Sequence, residues 1–130
     1  MFLIPGPKCQ SDGTLVTYNP MVVYELTDDA TDRIFQAMAD ATRRDIVARV
    51  MNAEYSVSRL AEHYAMSFAA VQKHVAVLER AALVNKRRRG REQLVTGNAE
   101  TLNRATRLLE SYEQIWIDRT RAIAELLATQ

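Results

Sequence analysis

The segment Ser56 to Val95, SVSRLAEHYAMSFAAVQKHVAVLERAALVNKRRRGREQLV, restricts the fold more than any other part of the chain. Ser56 precedes Val57, Leu60, Ala61 and Tyr64, which fall at i, i+3, i+4 and i+7 and predict an amphipathic helix with Ser56 as its cap. That helix is only about two turns long, too short to persist without a neighbour to pack on. Ala65, Met66 and Ser67 follow, and Ser67 is suited to cap a second helix. On that helix Phe68, Val71, Val75, Leu78 and Ala82 share one side at about 100° per residue. Two short helices joined across three residues predict a helix-turn-helix.

The opposite side of the second helix carries Ala69, Gln72, Lys73, Ala76 and Arg80. Small side chains there permit close approach. Gln72 and Lys73 are long hydrogen-bonding groups near the helix start, the residue types that read adenine, guanine or a phosphate in a major groove. His74 lies between the two faces and is read first as a packing or backbone-bonded histidine, and second as a base contact. Beyond this helix, Leu83 to Arg88 and Arg91 to Thr96 read as two strands joined across Arg89-Gly90, where glycine supplies the positive φ of a tight turn. Lys86, Arg87, Arg88, Arg89 and Arg91 make this hairpin a basic wing. Its side chains are placed to meet a DNA backbone or minor groove, or to keep an exposed edge strand soluble.

Two helices precede this unit. Asp28, Asp29 and Asp32 favour a helix start. Ile34, Phe35 and Met38 form its apolar stripe, and it is expected to end near Asp40. Asp40 can cap a second helix carrying Ile46, Val47, Val50 and Met51, stopping around Asn52. Arg43 and Arg44 in its first turn oppose the helix dipole unless an acid or a phosphate meets them, and Asp40 or the acidic first helix is the expected partner. After the wing, Asn98 caps a helix from about Ala99 to Ala128, roughly 45 Å long. A compact domain of this size has a radius of gyration of about 14 Å, so the helix overruns the core beside it. Leu102, Leu109, Tyr112, Trp116, Ile123 and Leu127 carry apolar character to its far end, which predicts a homodimer interface. Folding back on its own core is the alternative. The expected organisation is therefore an arm over residues 1 to 27, a core over 28 to 98, and a dimerisation helix over 99 to 130 of the same domain. The fold class is mainly α with a small β-hairpin.

The chain has 130 residues and a net charge of +1, but the charge is polarised. From Ser67 to Arg91 seven basic residues stand against Glu79 alone, a net of +6. From Tyr24 to Asp40 five acids stand against Arg33, a net of −4. Such separation places a positive surface on a nearly neutral protein and suits a polyanion. No apolar run is long enough to span a bilayer, and the N-terminal MFLIPGPKCQ lacks the basic region of an export signal. The expected compartment is the cytoplasm. The single cysteine, Cys9, has no disulfide partner in the chain. No glycine-rich nucleotide loop or spaced nucleophile-and-base pair points to an enzyme.

The order of four helices, a basic hairpin and one long helix resembles the arsenic-repressor (ArsR) type of bacterial winged-helix regulators. The resemblance runs from about Asp28 to Ala128 and is carried by FQAMADATRRDIVARV, SVSRLAEHYAMSFAAVQKHVAVLERAALV and the GRE of the wing. It implies a cytoplasmic homodimer that represses transcription by binding an inverted-repeat operator in double-stranded DNA and releases it on binding an effector. By the same resemblance the recognition helix maps onto Ser67 to Arg80, which makes Ser67, Ala69, Gln72 and Lys73 contact positions with His74 secondary. Its wing maps onto Lys86 to Arg91. Family members that sense metals on the third helix carry Cys-x-Cys where this chain has Ser56 and Ser58, and hydroxyls are poor soft-metal ligands. The last helix contains no histidine, and His63, His74 and Cys9 are scattered. No metal or cofactor is expected. A protein-interaction module and a DNA binder of low sequence preference remain as the alternative functions.

Overall fold

The computed structural model describes residues 27 to 129, so the expected arm, apart from Thr27, and Cys9 lie outside the described residues. The elements are α1 (Asp28–Ala37), α2 (Ala41–Asn52), β1 (Tyr55–Ser56), α3 (Val57–Ala61), α4 (Phe68–Arg80), β2 (Val84–Arg89), β3 (Glu92–Gly97) and α5 (Ala99–Ala128). Each helix start has a side-chain oxygen that satisfies a backbone N–H with no partner inside the helix. Thr27 accepts from Ala30, Asp40 from Arg43, Ser56 from Arg59, Ser67 from Ala70 and Asn98 from Thr101. Asp28 and Asp29 then lie in the first turn of α1, where negative charge suits the dipole.

The apolar stripes converge on one core, in which Ile34, Ile46, Leu60, Val71, Val75, Leu78, Leu83, Val84 and Val95 are buried. Three expected members, Phe35, Phe68 and Ala82, are absent from it. Phe35 is 39% exposed, with Ala37 buried in its stead beside Ile34. Phe68 is 47% exposed, because at the first position of α4 the apolar side has run past the elements that cover Val71 and Val75. α3 is shorter than its periodicity suggests. It ends at Ala61, and the following residues tighten, with His63 N–H donating to Leu60 and Tyr64 N–H to Ala61 across three residues.

The sheet has three antiparallel strands in the order β1-β3-β2, one more than the hairpin expected. Tyr55 pairs with Val95 and Ser56 with Leu94, so two residues ahead of α3 stitch the helix-turn-helix to the wing. Gly97 lies against the Met51 side chain, leaving no room for a β-carbon. The hairpin turn falls one residue later than expected: Arg89 pairs with Glu92, and the turn is Gly90-Arg91 with Gly90 at φ 63°. Glycine at the first central position is what a two-residue hairpin turn of this kind requires.

Between α4 and β2 the chain reverses through Ala82, a non-glycine residue at φ 61°. Leu83 N–H donates to Leu78 and Ala82 N–H to Glu79, which closes α4 in a Schellman arrangement. Ala82 is therefore exposed rather than part of the apolar side, and Leu83 drops fully into the core.

Candidate nucleic-acid interface

α4 is held by its Val71, Val75 and Leu78 side, so its other side faces outward. Ala69, Gln72 and Lys73 are all exposed, at i, i+3 and i+4 of one stripe, and Ala76 continues it half-buried. The Gln72 and Lys73 side chains make no hydrogen bond or ion pair with any described residue. Ser67 stands at the tip. Its oxygen accepts from Ala70 N–H at 3.1 Å, which leaves the hydroxyl proton free to donate outward. The exposed Phe68 adds an apolar group beside Ala69 that helical periodicity assigned to the core. Only its place at the first helical position hints otherwise. Apolar side chains there can meet a thymine methyl.

His74 turns away from this stripe. It is half-buried, with Nδ1 3.4 Å from Arg43 Nη1 and 3.9 Å from Asp40. The Arg43 N–H, and then the charges of Arg43 and His74, hold the Asp40 carboxyl below its usual range. Arg43 and Arg44 answer their unfavourable place in the helix dipole differently from the expected acid pairing. Arg43 donates to the carbonyls of Ala37 at 2.7 Å and Gln36 at 3.2 Å, and Arg44 to that of Met38 at 2.8 Å. Both guanidinium groups thus meet the carbonyl-rich end of α1, where positive charge is favoured. This fixes α1 against α2 and places Arg43 behind α4.

The five basic wing residues divide into two groups. Lys86 lies 3.4 Å from Glu79 on α4, and Arg87 pairs with Glu54 at 3.0 Å. Arg88 bonds back to the Gly90 carbonyl at 3.2 Å. The Lys86 and Arg87 contacts brace the hairpin against α4 and against the segment ahead of β1, while the Arg88 bond stays within the turn. Arg89 and Arg91, at the tip, are exposed and make no such contact with any described residue. Glu54 was missed in the charge count because it sits outside the basic window and reaches the wing only through the fold. The structure thus brings a free Ala69-Gln72-Lys73 stripe and a free pair of arginines to two successive elements joined by one tight turn.

Ser56 is 6% exposed and its oxygen accepts from Arg59 N–H at 3.1 Å. Among the described residues no three of His, Cys, Asp or Glu cluster as metal ligands would.

Residues 40–86, from the cap of α2 to the first basic residue of the wing, match the model of the bacterial regulatory protein family named arsR. A solved ArsR-like transcriptional regulator from Rhodococcus sp. RHA1 is 31% identical, with a TM-score of 0.66 over 75% of this chain and 92% of that one. The chain belongs to the arsR family. The HTH-type transcriptional regulator Rv2034 of Mycobacterium tuberculosis (strain ATCC 25618 / H37Rv) is 44% identical over 59 residues, which are 45% of this chain and 55% of the relative. The chain thus spans about half the length of that curated relative. The fold alone is shared with a homodimeric winged helix-turn-helix DNA-binding domain from Mycobacterium bovis, at 22% identity and a TM-score of 0.55 over 70% of this chain and 84% of that one. Within the arsR frame α3 and α4 are the helix-turn-helix and β2 with β3 is the wing.

Proposed function

We propose that this arsR-family chain is a homodimeric, sequence-specific repressor that binds an inverted-repeat operator in double-stranded DNA. Ser67, Ala69, Gln72 and Lys73 enter the major groove, and the wing from Lys86 to Arg91 flanks it. The observation that carries this reading is the outer stripe of α4, where Gln72 and Lys73 are exposed and their side chains unpaired, opposite the packed Val71, Val75 and Leu78. A glutamine there can bond bidentately to adenine, and a lysine can reach guanine or phosphate. Arg89 and Arg91 supply sequence-independent phosphate contacts, whereas Lys86, Arg87 and Arg88 position the wing and His74 positions α4 from behind.

The homodimer rests on α5. Leu109, Tyr112, Trp116, Ile123 and Leu127 lie within an arc of about 60° at 100° per residue, and all are exposed. Leu102 differs, being half-buried against its own core. The free stripe therefore starts at Leu109, and a second copy offering the same stripe is the partner of matching chemistry. In this reading residues 28 to 98 form the DNA-binding core and α5 the dimerisation helix of one domain. No described helix is long and apolar enough to cross a membrane, and the cytoplasm is where the DNA partner is found. No catalytic role is assigned.

Fluorescence anisotropy against the DNA upstream of the chain's own coding region and against scrambled DNA, over a series of salt concentrations, tests the proposal. Tight binding to the upstream probe, falling with salt at a log–log slope near 0.9 per phosphate contact, is expected. Equal weak binding to both probes points to an architectural binder, and no binding to either points to a protein-interaction module.

A further inference from the structure

A cleft of about 270 Å³ is lined by Arg33, Gln36 and Ala37 of α1, Arg43 of α2, and Val77 and Arg80 of α4, so three arginines border one concavity. We propose that this cleft binds a small anion carrying at least two carboxylate or phosphate charges. No carboxylate is among its lining residues. The neighbouring acids are engaged elsewhere or out of reach. Asp40 accepts from Arg43 N–H and faces His74, and Glu79 lies beside Lys86. Asp29 and Asp32 make no ion pair with any described residue, Arg33 included. Arg43 has the Ala37 and Gln36 carbonyls and the Asp40 charge near it, whereas Arg33 and Arg80 have no acid paired with them among the described residues, and an anion with two or more charges would satisfy both.

The cleft is also partly organised in advance. Arg43 is already fixed by its bonds to Ala37 and Gln36, so little side-chain entropy remains to be lost there. Arg33 and Arg80 are exposed and unpaired among the described residues, and each offers a planar fork that matches a carboxylate or phosphate bidentately. Ala37 and Val77 supply an apolar wall, and the small volume suits a compact ligand. A DNA phosphate is the less favoured occupant. Arg80 lies eight residues beyond Gln72, about 12 Å along α4, and Arg33 and Gln36 belong to a helix that contributes no DNA-reading residue.

Calorimetric titration of the full chain without DNA, at fixed ionic strength, with inorganic pyrophosphate and separately with citrate, tests the site. Saturable binding of either is expected, weakened at least tenfold by Arg33→Gln or Arg80→Gln with the unliganded melting temperature unchanged. Pyrophosphate alone would mark a phosphate ligand, citrate alone a carboxylate ligand. Absence of saturable heat with both probes, or affinities unaltered in both variants, would overturn the proposal. So would a fall of about one in the DNA salt slope of Arg33→Gln, which would assign the cleft to the DNA backbone.

Discussion

In the head formed by α1 to β3, Ile46, Leu60, Leu78, Leu83 and Val95 are 0% exposed, whereas on α5 Trp116, Leu126 and Leu127 are 62%, 66% and 68% exposed. The same kinds of side chain are used to opposite ends. The head closes its core within one chain through four helices, a sheet and two arginines that bind α1 together with α2. α5 contributes only Thr101 and Ala105 to the buried set, with Leu102 beside them, and then continues for more than five turns with its apolar stripe uncovered. Apolar area left in water forgoes roughly 25 cal/mol per Å². The contrast teaches that the head's stability is a property of one chain and, in the proposed homodimer, that α5's is a property of two.

This contrast can be broken by measuring unfolding at several protein concentrations. Leu78→Ala, which opens a cavity in the head, is expected to cost about 2 to 5 kcal/mol at every concentration. Trp116→Glu is expected to weaken self-association by about 2 to 4 kcal/mol in sedimentation equilibrium and to remove the concentration dependence of melting. If melting of the parent chain is already independent of concentration, α5 has no second copy and the contrast fails. Arg43→Met keeps the stem but deletes the bonds to Ala37 and Gln36, and a loss of about 1.5 to 3 kcal/mol is expected in urea unfolding. That loss too should be the same at every concentration. Ala82→Gly relieves a left-handed residue and is expected to raise head stability by up to about 1 kcal/mol.

The smallest expected effect is one of pH. Asp45 is held below the usual carboxylate range, first by the Tyr64 hydroxyl at 2.6 Å and then by Arg49 at 2.8 Å. A depressed folded value contributes stability that is present above the unfolded value and lost as pH falls through the acidic range. Because Asp45 is nearly half exposed, solvent screening limits this to a few tenths of a kcal/mol. Tyr64→Phe should therefore make the acid-side loss of stability shallower, without touching self-association.

The helices were legible in the sequence because their signals are local. Asp40, Ser56, Ser67 and Asn98 cap the helices their positions announced, and the periodic Val71, Val75 and Leu78 are buried as expected. What was not legible depends on long-range partners. β1 is two residues long and exists only because β3 runs beside it. Phe35 and Phe68 fit their stripes by spacing, yet nothing covers them within the described chain. The pairing of Arg43 and Arg44 with carbonyl oxygens has no composition signal, since every residue carries a carbonyl. The bracing of Lys86 and Arg87 in the wing depends on Glu79 and Glu54, which lie outside it.

Ala82 stands as a single left-handed joint between α4 and the wing, and the bonds from Leu83 to Leu78 and from Ala82 to Glu79 leave that joint no slack. In the proposed complex, helix and hairpin then lift from a duplex together, as one jaw of a caliper. In the proposed dimer, a signal that frees the DNA would have to act on the gap between the two jaws rather than on the shape of either.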